Sequence, residues 1–580
     1  MDAIILLSMI FAVIIYVMVR GSVEEKRNRK QYEAGLREGY GKFPDKEYSE
    51  QDFENITRLF AYRHKDYFID DITWNDLNMN GIFALMDHTQ SSSGAEYLYD
   101  MLRTPKLQKA KMDELEKHIC FLRKDEDKRV TVQMKLHALG TSGKYSVFDY
   151  IEYLDTIGDC SNGKHIVMLL ALFVSLALLF VNVMTGVFLL LLVIAVNMTS
   201  YLREKNDIQP YFCSFSYIMR MIQCGNGILT VDLSEMVEYK KELEKKIGRL
   251  TPISRNYSVV ASMNSSSGNP LEIVSDYFNM LTHIDIMRFN RMVRLVKEHK
   301  EEIYELVEAI GYIDAVISIG AFRESLKSYC VPEFEEGKEV VLCIENGYHP
   351  SINEPVVNNS RDKAISCAPG STCFIKSSYK SFISFFTSFK EDFALSIDSF
   401  LKMIAINAIL AQTIHTCTAS SYRGGLYKIY SSMALRDDLM AGDSYYIVEI
   451  KALKRIVDAA EEKSENPLLC FVDEVLRGTN TVERIAASAQ IMDNLARKGV
   501  YCFAATHDIE LTHLLAQKYD NYHFEEDVKD GDVLFSYRLL DGRAQTRNAI
   551  KLLKVIGFSD EITEHAEDRV QRFVRTGQWA

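Results

Sequence analysis

The sequence predicts a two-part body, α-helical first and α/β after about residue 338, with about three membrane-spanning helices. Three observations predict this class. Two apolar stretches without charge lie at 3–19 and 165–202. Around the second, Leu, Ile and Met recur at helical spacing among many charges. After residue 338, short apolar runs alternate with helical ones, the pattern of a largely parallel sheet.

The size and composition fit such a body. A chain of 580 residues exceeds one domain; at roughly 150 residues each, the prior is about four units. Hydrophobic residues at 47% and charged residues at 25% exclude a disordered or collagen-like chain. Acidic residues number 80 and basic residues 67, so the net charge is −13. That balance disfavours a surface built throughout to coat DNA or RNA, although a local basic stripe remains compatible with it. The 11 cysteines stand singly, with no CxxC pair. This argues against a zinc site or a disulfide framework and suits a reducing cytosol.

The first apolar stretch, 3–19, holds 17 uncharged residues, near the lower limit for a spanning helix. A cleaved signal peptide would carry positive charge before the run. Here Arg20, Lys26, Arg27, Arg29 and Lys30 follow it. The positive-inside rule therefore expects a retained anchor over 1–21, with the following chain in the cytoplasm. The second stretch has 38 residues without Asp, Glu, Lys or Arg. As one helix it would run roughly 57 Å, against a bilayer core of roughly 30 Å. Asn182-Val183-Met184-Thr185-Gly186 reads as a turn in its middle. A hairpin of two short spans, about 166–182 and 186–202, is expected; the alternative is a pair of buried core helices. A hairpin returns the chain to the side it left, so 22–164 and 203–580 are both expected in the cytoplasm.

Outside these stretches, 22–164 and 203–335 read as helical. Ile303, Leu306, Val307 and Ile310 share one helical face, for example. The Ser-, Asn- and Gly-rich segment 251–270 reads as a loop between long helices. From 336 to 580 the α/β pattern holds. Strands are expected at 340–344, 468–472 and 500–505, with helices at 400–415, 450–462 and 482–498.

The strand Leu468-Leu469-Cys470-Phe471-Val472 ends in Asp473-Glu474. In nucleotide-hydrolysing sheets such a strand end delivers one carboxylate to Mg²⁺, and the next acid polarises the attacking water. Arg477-Gly478-Thr479-Asn480-Thr481 follows directly, and Ala505-Thr506-His507-Asp508 closes the next strand. His507 is thereby a candidate to contact a γ-phosphate. A lone histidine or a DE at an exposed strand end is commonly structural; the order and spacing of the three elements favour function.

DEVLRGTNT followed by ATHDIELTHL resembles the ATPase of the DNA mismatch repair MutS family. Gly442-Asp443-Ser444-Tyr445-Tyr446-Ile447-Val448-Glu449 resembles its signature segment, and Ile406 to Gln412 resembles the helix after its phosphate loop. Asn346-Gly347-Tyr348-His349-Pro350 resembles its "RHP" entry to the ATPase. Thr89 to Leu98 resembles the start of its helical core, T-x-(S/T)-x-x-G-x-x-x-L. The resemblance runs from about 70 to 575. It implies an α/β P-loop-type (ABC-like) ATPase domain preceded by an α-helical core and lever domain. It also implies ATP and Mg²⁺, and a homodimer in which each nucleotide lies between one subunit's phosphate loop and the other's signature segment. Carried over, Asp473 holds Mg²⁺, Glu474 activates water, His507 senses the γ-phosphate, and Gly442 and Ser444 reach the partner's nucleotide. Helices at about 545–575 support the dimer.

The phosphate loop departs from G-x-x-x-x-G-K-[ST]. One alignment uses Gly370-Ser371-Thr372-Cys373-Phe374-Ile375-Lys376-Ser377, keeping Gly370, Lys376 and Ser377, with Ser377 also a Mg²⁺ ligand, but placing Ile375 at the second glycine. A second sets Ser396-Ile397-Asp398-Ser399 against G-K-S-T, with isoleucine in place of lysine. About twenty residues, 379–399, separate the two. A diverged working loop, a pseudo-ATPase, or a local reading-frame error in the sequence each accounts for this. The segment 1–60 is too short for the family's mismatch-reading domains, and 251–270 for a full DNA clamp, so mismatch reading is not expected. The expected function is a membrane-anchored, dimeric ATP-driven clamp or lever acting on DNA or a protein partner, at the bacterial cytoplasmic membrane. The alternative is a pseudo-ATPase scaffold. A transporter would need an LSGGQ-like signature and more spans.

Overall fold

The structure is a computed structural model. It describes residues 2–63, 65–143, 145–156, 161–208, 212–254, 277–335, 342–351, 365–367, 372–376, 397–433, 445–476, 479–529, 532–543, 550, 553–554 and 557–578. The chain forms two compact units. Both are discontinuous in sequence: one holds 1–64, 87–100 and 117–321, the other 65–86, 101–116 and 322–580.

The first unit is helical throughout its described residues. Its opening helix, Asp2–Gly39, runs 38 residues, so the apolar stretch 3–19 and the charged segment after it are one continuous rod. The C-terminal end of this helix is docked by aromatic and charged groups. Tyr32 stacks on His137 at 3.6 Å, and its hydroxyl donates to Gln90 Oε1. Arg37 donates to Asp127 at 2.8 Å, and the Arg129 guanidinium lies 3.6 Å over the Tyr40 ring just beyond the helix.

Two glycines set the packing inside this unit. A Cβ on Gly94 would meet the Asp314 carboxylate at 2.2 Å, and a Cβ on Gly311 would meet Ser93 O at 2.4 Å. The start of helix Ser92–Arg103 therefore crosses helix Lys300–Ser325 nearly backbone to backbone. Asp314 accepts hydrogen bonds from the Gln90 and Ser91 backbone N–H groups and from Ser91 Oγ. These contacts account physically for Ser91 and Gly94 in the expected core motif. The loop expected at 251–270 falls largely outside the described residues.

The apolar stretch 165–202 forms a helical hairpin, Gly163–Val181 and Val183–Ile208. The turn is tighter than expected: Asn182 alone is extended, and its carbonyl accepts from Gly186 N at 2.9 Å. Gly186 lets the second helix approach the first, since a Cβ there would lie 2.7 Å from Leu179 N. Both helices are long and apolar enough to cross a membrane, yet only 17% and 11% of their most apolar windows are buried. Leu170, Phe173, Phe180, Phe188 and Leu191 point outward. A pair of buried core helices is therefore not what this stretch forms. Polar groups collect at its foot, where His165 lies 3.2 Å from Glu204 and Tyr201 donates to Asp285 at 2.6 Å.

The second unit is α/β. Its strands are β1 (Glu333–Phe334), β2 (Leu342–Glu345), β3 (Ile365–Cys367), β4 (Thr372–Lys376), β5 (Ser421–Gly424), β6 (Lys428–Ser432), β7 (Leu468–Asp473), β8 (Val500–Thr506), β9 (Tyr519–Lys529) and β10 (Asp532–Asp541). A small sheet has the order β1-β5-β2-β3. The main sheet has the order β10-β9-β4-β8-β7-β6 and is parallel except for β10. The expected strands at 468–472 and 500–505 are β7 and β8, both buried along their whole length near the middle of the sheet. The run expected at 340–344 becomes β2, in the small sheet. Helix Ile397–Ile414 covers the main sheet with Phe400, Leu401, Ile404, Ile409 and Leu410 fully buried.

Residues 65–86, which the sequence reading grouped with the helical region, cluster instead with this α/β unit. Edge strand β6 explains why. An edge exposes unpaired backbone groups, and this one is closed by side chains from helix Asp71–Asp76 and its approach. Tyr67 OH donates to Ile429 O at 2.9 Å, Ser431 N donates to Thr73 Oγ1 at 3.0 Å, and Met433 N donates to Asp76 at 2.9 Å. The Ser431 carbonyl accepts from Arg455, which also pairs with Asp70.

Candidate active site

In a parallel sheet the C-terminal strand ends share one edge, and ligands bind in the crevice outside it. Strand β7 is driven inside by Leu468, Leu469, Cys470, Phe471 and Val472, all at most 4% exposed. That burial carries Asp473 to the rim, where it is still 7% exposed. The strand stops there because Glu474 takes a left-handed conformation, φ 51°, and Leu476 does the same at φ 60°. Non-glycine residues visit this region at a cost of order 1–3 kcal/mol, typically where function holds them. Glu474 N donates to Ala505 O at 2.9 Å, so the turn is fastened to the neighbouring strand.

Asp473 pairs in register with Ala505 of β8. Two residues later, His507 Nε2 lies 2.6 Å from Glu474 Oε1. The sequence placed these three residues at two strand ends; the fold brings Glu474 and His507 into direct contact beside Asp473. The Thr506 hydroxyl accepts from Asp508 N at 3.0 Å and tightens the turn after β8. Arg484 then grips Asp508 with a two-pronged hydrogen bond, Nε at 3.2 Å and Nη2 at 2.7 Å. This fork was not foreseen; its partners lie 24 residues apart and carry no local signal. Asn480 caps helix Thr481–Leu495 by accepting from Val482 N, and Ser488 Oγ donates to Val475 O. Val475 and Asn480 are thus each fastened to helix Thr481–Leu495.

The remaining candidates divide. Gly370, Ser377, Gly442 and Ser444 lie outside the described residues. Lys376 is the last residue of β4, opposite Thr506 of β8, so its backbone stands at the same rim as Asp473 and His507. The first alignment expected a loop over 370–377, whereas Thr372–Lys376 is an extended strand inside the main sheet. The aromatic and β-branched run there favours a strand. Of the second alignment, Ser396 lies outside the described residues, while Ile397-Asp398-Ser399 open helix Ile397–Ile414, where Asp398 pairs with Lys402 at 2.8 Å. His349, from the expected entry motif, faces these two side chains. Burial first, and then the Lys402 charge, push its pKa down to about 4. Its Nδ1 accepts from Ser351 N, so the neutral ring carries its proton on Nε2.

Asp473 suits a hard divalent cation: its carboxylate stands at a nearly closed strand end. Mg²⁺ in nucleotide sites is held by one or two carboxylates, with phosphate and water completing its shell. The donor set is therefore compatible with Mg²⁺.

Residues 396–574 match the family model described as MutS domain V. The DNA mismatch repair protein MutS of Thermotoga petrophila is 27% identical over 296 residues, 49% of this chain and 33% of that protein. MutS of Aquifex pyrophilus is 29% identical over 283 residues, 47% of this chain and 31% of that protein. MutS protein homolog 4 of Mus musculus is 27% identical over 312 residues, 50% of this chain and 29% of that protein. The chain spans about a third of the length of these relatives. Residues 396–574 thus match MutS domain V, and about half of the chain is similar to MutS proteins.

Proposed function

We propose that the chain is a membrane-anchored, MutS-type ATPase that works as a dimer and moves helical arms on DNA or a protein partner, without reading mismatches. The observation that carries this reading is the meeting of Asp473, Glu474 and His507 at one rim of a parallel sheet. In it, Asp473 would hold Mg²⁺, which would supply charge neutralisation to the bound phosphates. Glu474 accepts the proton of the attacking water, and His507 donates from Nε2 to fix the Glu474 carboxylate.

In this reading Lys376, the last residue of β4, meets the phosphates, together with Gly370 and Ser377. Gly442 and Ser444 precede helix Tyr445–Glu461 and reach the partner's nucleotide. The C-terminal helix Asp560–Thr576 exposes Ile562 and Phe573, which supports a role in pairing two copies. The exposed apolar hairpin and the run 3–19 supply the anchor, about three spans with the bulk of the chain in the bacterial cytoplasm. Two tests bear on this. Detergent-purified protein should release phosphate from Mg-ATP, and Glu474→Gln should stop it; no turnover by the parent refutes the motor. Deleting 165–202 should weaken membrane retention; unchanged retention refutes the hairpin's part in the anchor.

A second reading, a pseudo-ATPase scaffold, has one specific support. Asp398 puts a carboxylate in the first turn of helix Ile397–Ile414, where a phosphate would otherwise sit, and its ion pair occupies Lys402. Under that reading the dimer forms without nucleotide.

A further inference from the structure

Away from the candidate active site, Cys330 and Cys417 face each other across an isolated antiparallel bridge. They exchange both backbone hydrogen bonds, Cys330 N to Cys417 O at 3.0 Å and Cys417 N to Cys330 O at 2.9 Å. Such a pair holds its Cα atoms about 5.5 Å apart, inside the range of roughly 4.4–6.8 Å that a disulfide needs. Both are free thiols. Their surroundings divide the roles. Cys330 is partly exposed and Cys417 fully buried. The hydrogen bond from Cys417 holds the Cys330 thiol below its usual range, while burial pushes Cys417 well up. Arg323 fixes the segment before Cys417, donating to His415 O and to Thr416 Oγ1 at 2.8 Å each. The backbone is therefore held in the bridging geometry before any bond forms.

We propose that Cys330 and Cys417 are a modification site: a thiol pair that closes to a reversible disulfide when it meets a small-molecule disulfide such as oxidised glutathione. The Cys330 thiolate attacks one sulfur of glutathione disulfide, forming a mixed disulfide and expelling one glutathione thiolate. Cys417 then loses its proton and attacks Cys330 Sγ, and the second glutathione leaves. Two protein thiols are oxidised, one glutathione disulfide is reduced to two glutathiones, and both protein protons end on them. The bridge joins the lead-in to β1 with the lead-in to β5, which are already hydrogen-bonded to each other.

The test uses the full chain in detergent, treated with oxidised glutathione, alkylated, and peptide-mapped without reduction. The expected result is one cross-linked peptide pair holding Cys330 and Cys417, two hydrogens lighter than its parts and restored by dithiothreitol. Exposed Cys120 serves as an internal control, because it should carry glutathione instead. Cys417→Ala should trap glutathione on Cys330, and Cys330→Ala should leave Cys417 unmodified. Cys120 glutathionylated while Cys330 and Cys417 stay separately alkylated or separately glutathionylated would overturn the proposal. Nucleotide binding is not involved in this readout, so it stands or falls apart from the ATPase reading.

Discussion

His507 Nε2 lies 2.6 Å from Glu474 Oε1, across the ends of two neighbouring parallel strands. Glu474 reaches this position only through a left-handed backbone, φ 51°. The proposed water-activating carboxylate is thus aimed by its own turn and fastened by a histidine from the next strand. His507→Ala should lower ATP turnover by roughly 10–100-fold while leaving Mg-ATP affinity within a factor of about three. Steady-state phosphate release beside equilibrium binding separates the two. Equal losses in both would assign His507 to nucleotide binding instead.

Arg484 acts one step further out. Its fork on Asp508 sets the turn that carries His507. Arg484→Gln should reduce turnover roughly tenfold and change stability by about 1 kcal/mol or less, since the pair is partly solvated. Arg484→Lys should recover only part of the rate, because an ammonium cannot make both prongs. Full activity in Arg484→Gln would remove it from the positioning of His507.

Gly94 tests the helical unit. A Cβ there would strike the buried Asp314 carboxylate, which three donors hold in place. Gly94→Ala should destabilise that unit by about 2–3 kcal/mol, read from urea denaturation. Gly248→Ala, where nothing lies within 4 Å, is the control and should change stability by less than about 1 kcal/mol. Equal effects at the two positions would contradict the close crossing.

These cases also show what the sequence could carry. Asp473, Glu474 and His507 were legible because they are strand-end residues in a local pattern, and strands β7 and β8 were legible as uninterrupted apolar runs. Gly94 and Ser91 were legible as a motif, but their reason, Asp314, lies more than two hundred residues away. A still longer separation hid the closure of β6 by Tyr67, Thr73 and Asp76. The phosphate loop was ambiguous because the glycine before the lysine is replaced in both alignments, by Ile375 in one and Ser396 in the other; the described structure adds that Thr372–Lys376 is a strand.

Acidity supplies a further test at Glu96. It is buried, and burial pushes its pKa up to about 8. Ser146 donates to one oxygen at 2.9 Å, and Oε2 has no hydrogen-bond partner. The folded state therefore holds a proton that the unfolded chain releases above about 4.5. Its stabilising effect is full below that pH and is lost as pH rises toward 8. Asp314, pushed up to about 7, acts in the same sense but is spent sooner. Between pH 7 and 8 the parent should lose about 1 kcal/mol of stability that Glu96→Gln does not lose. Parallel pH profiles for the two proteins would refute the protonated Glu96.

The most direct test of the central claim is equilibrium binding of Mg-ATP to the detergent-purified chain, with Asp473→Asn alongside. Saturable binding by the parent, weakened at least tenfold in Asp473→Asn and restored by no increase in Mg²⁺ within the physiological range, is the predicted result. A parent that binds no Mg-ATP, or a variant that binds as tightly as the parent, would contradict the ATPase account and leave the dimeric scaffold.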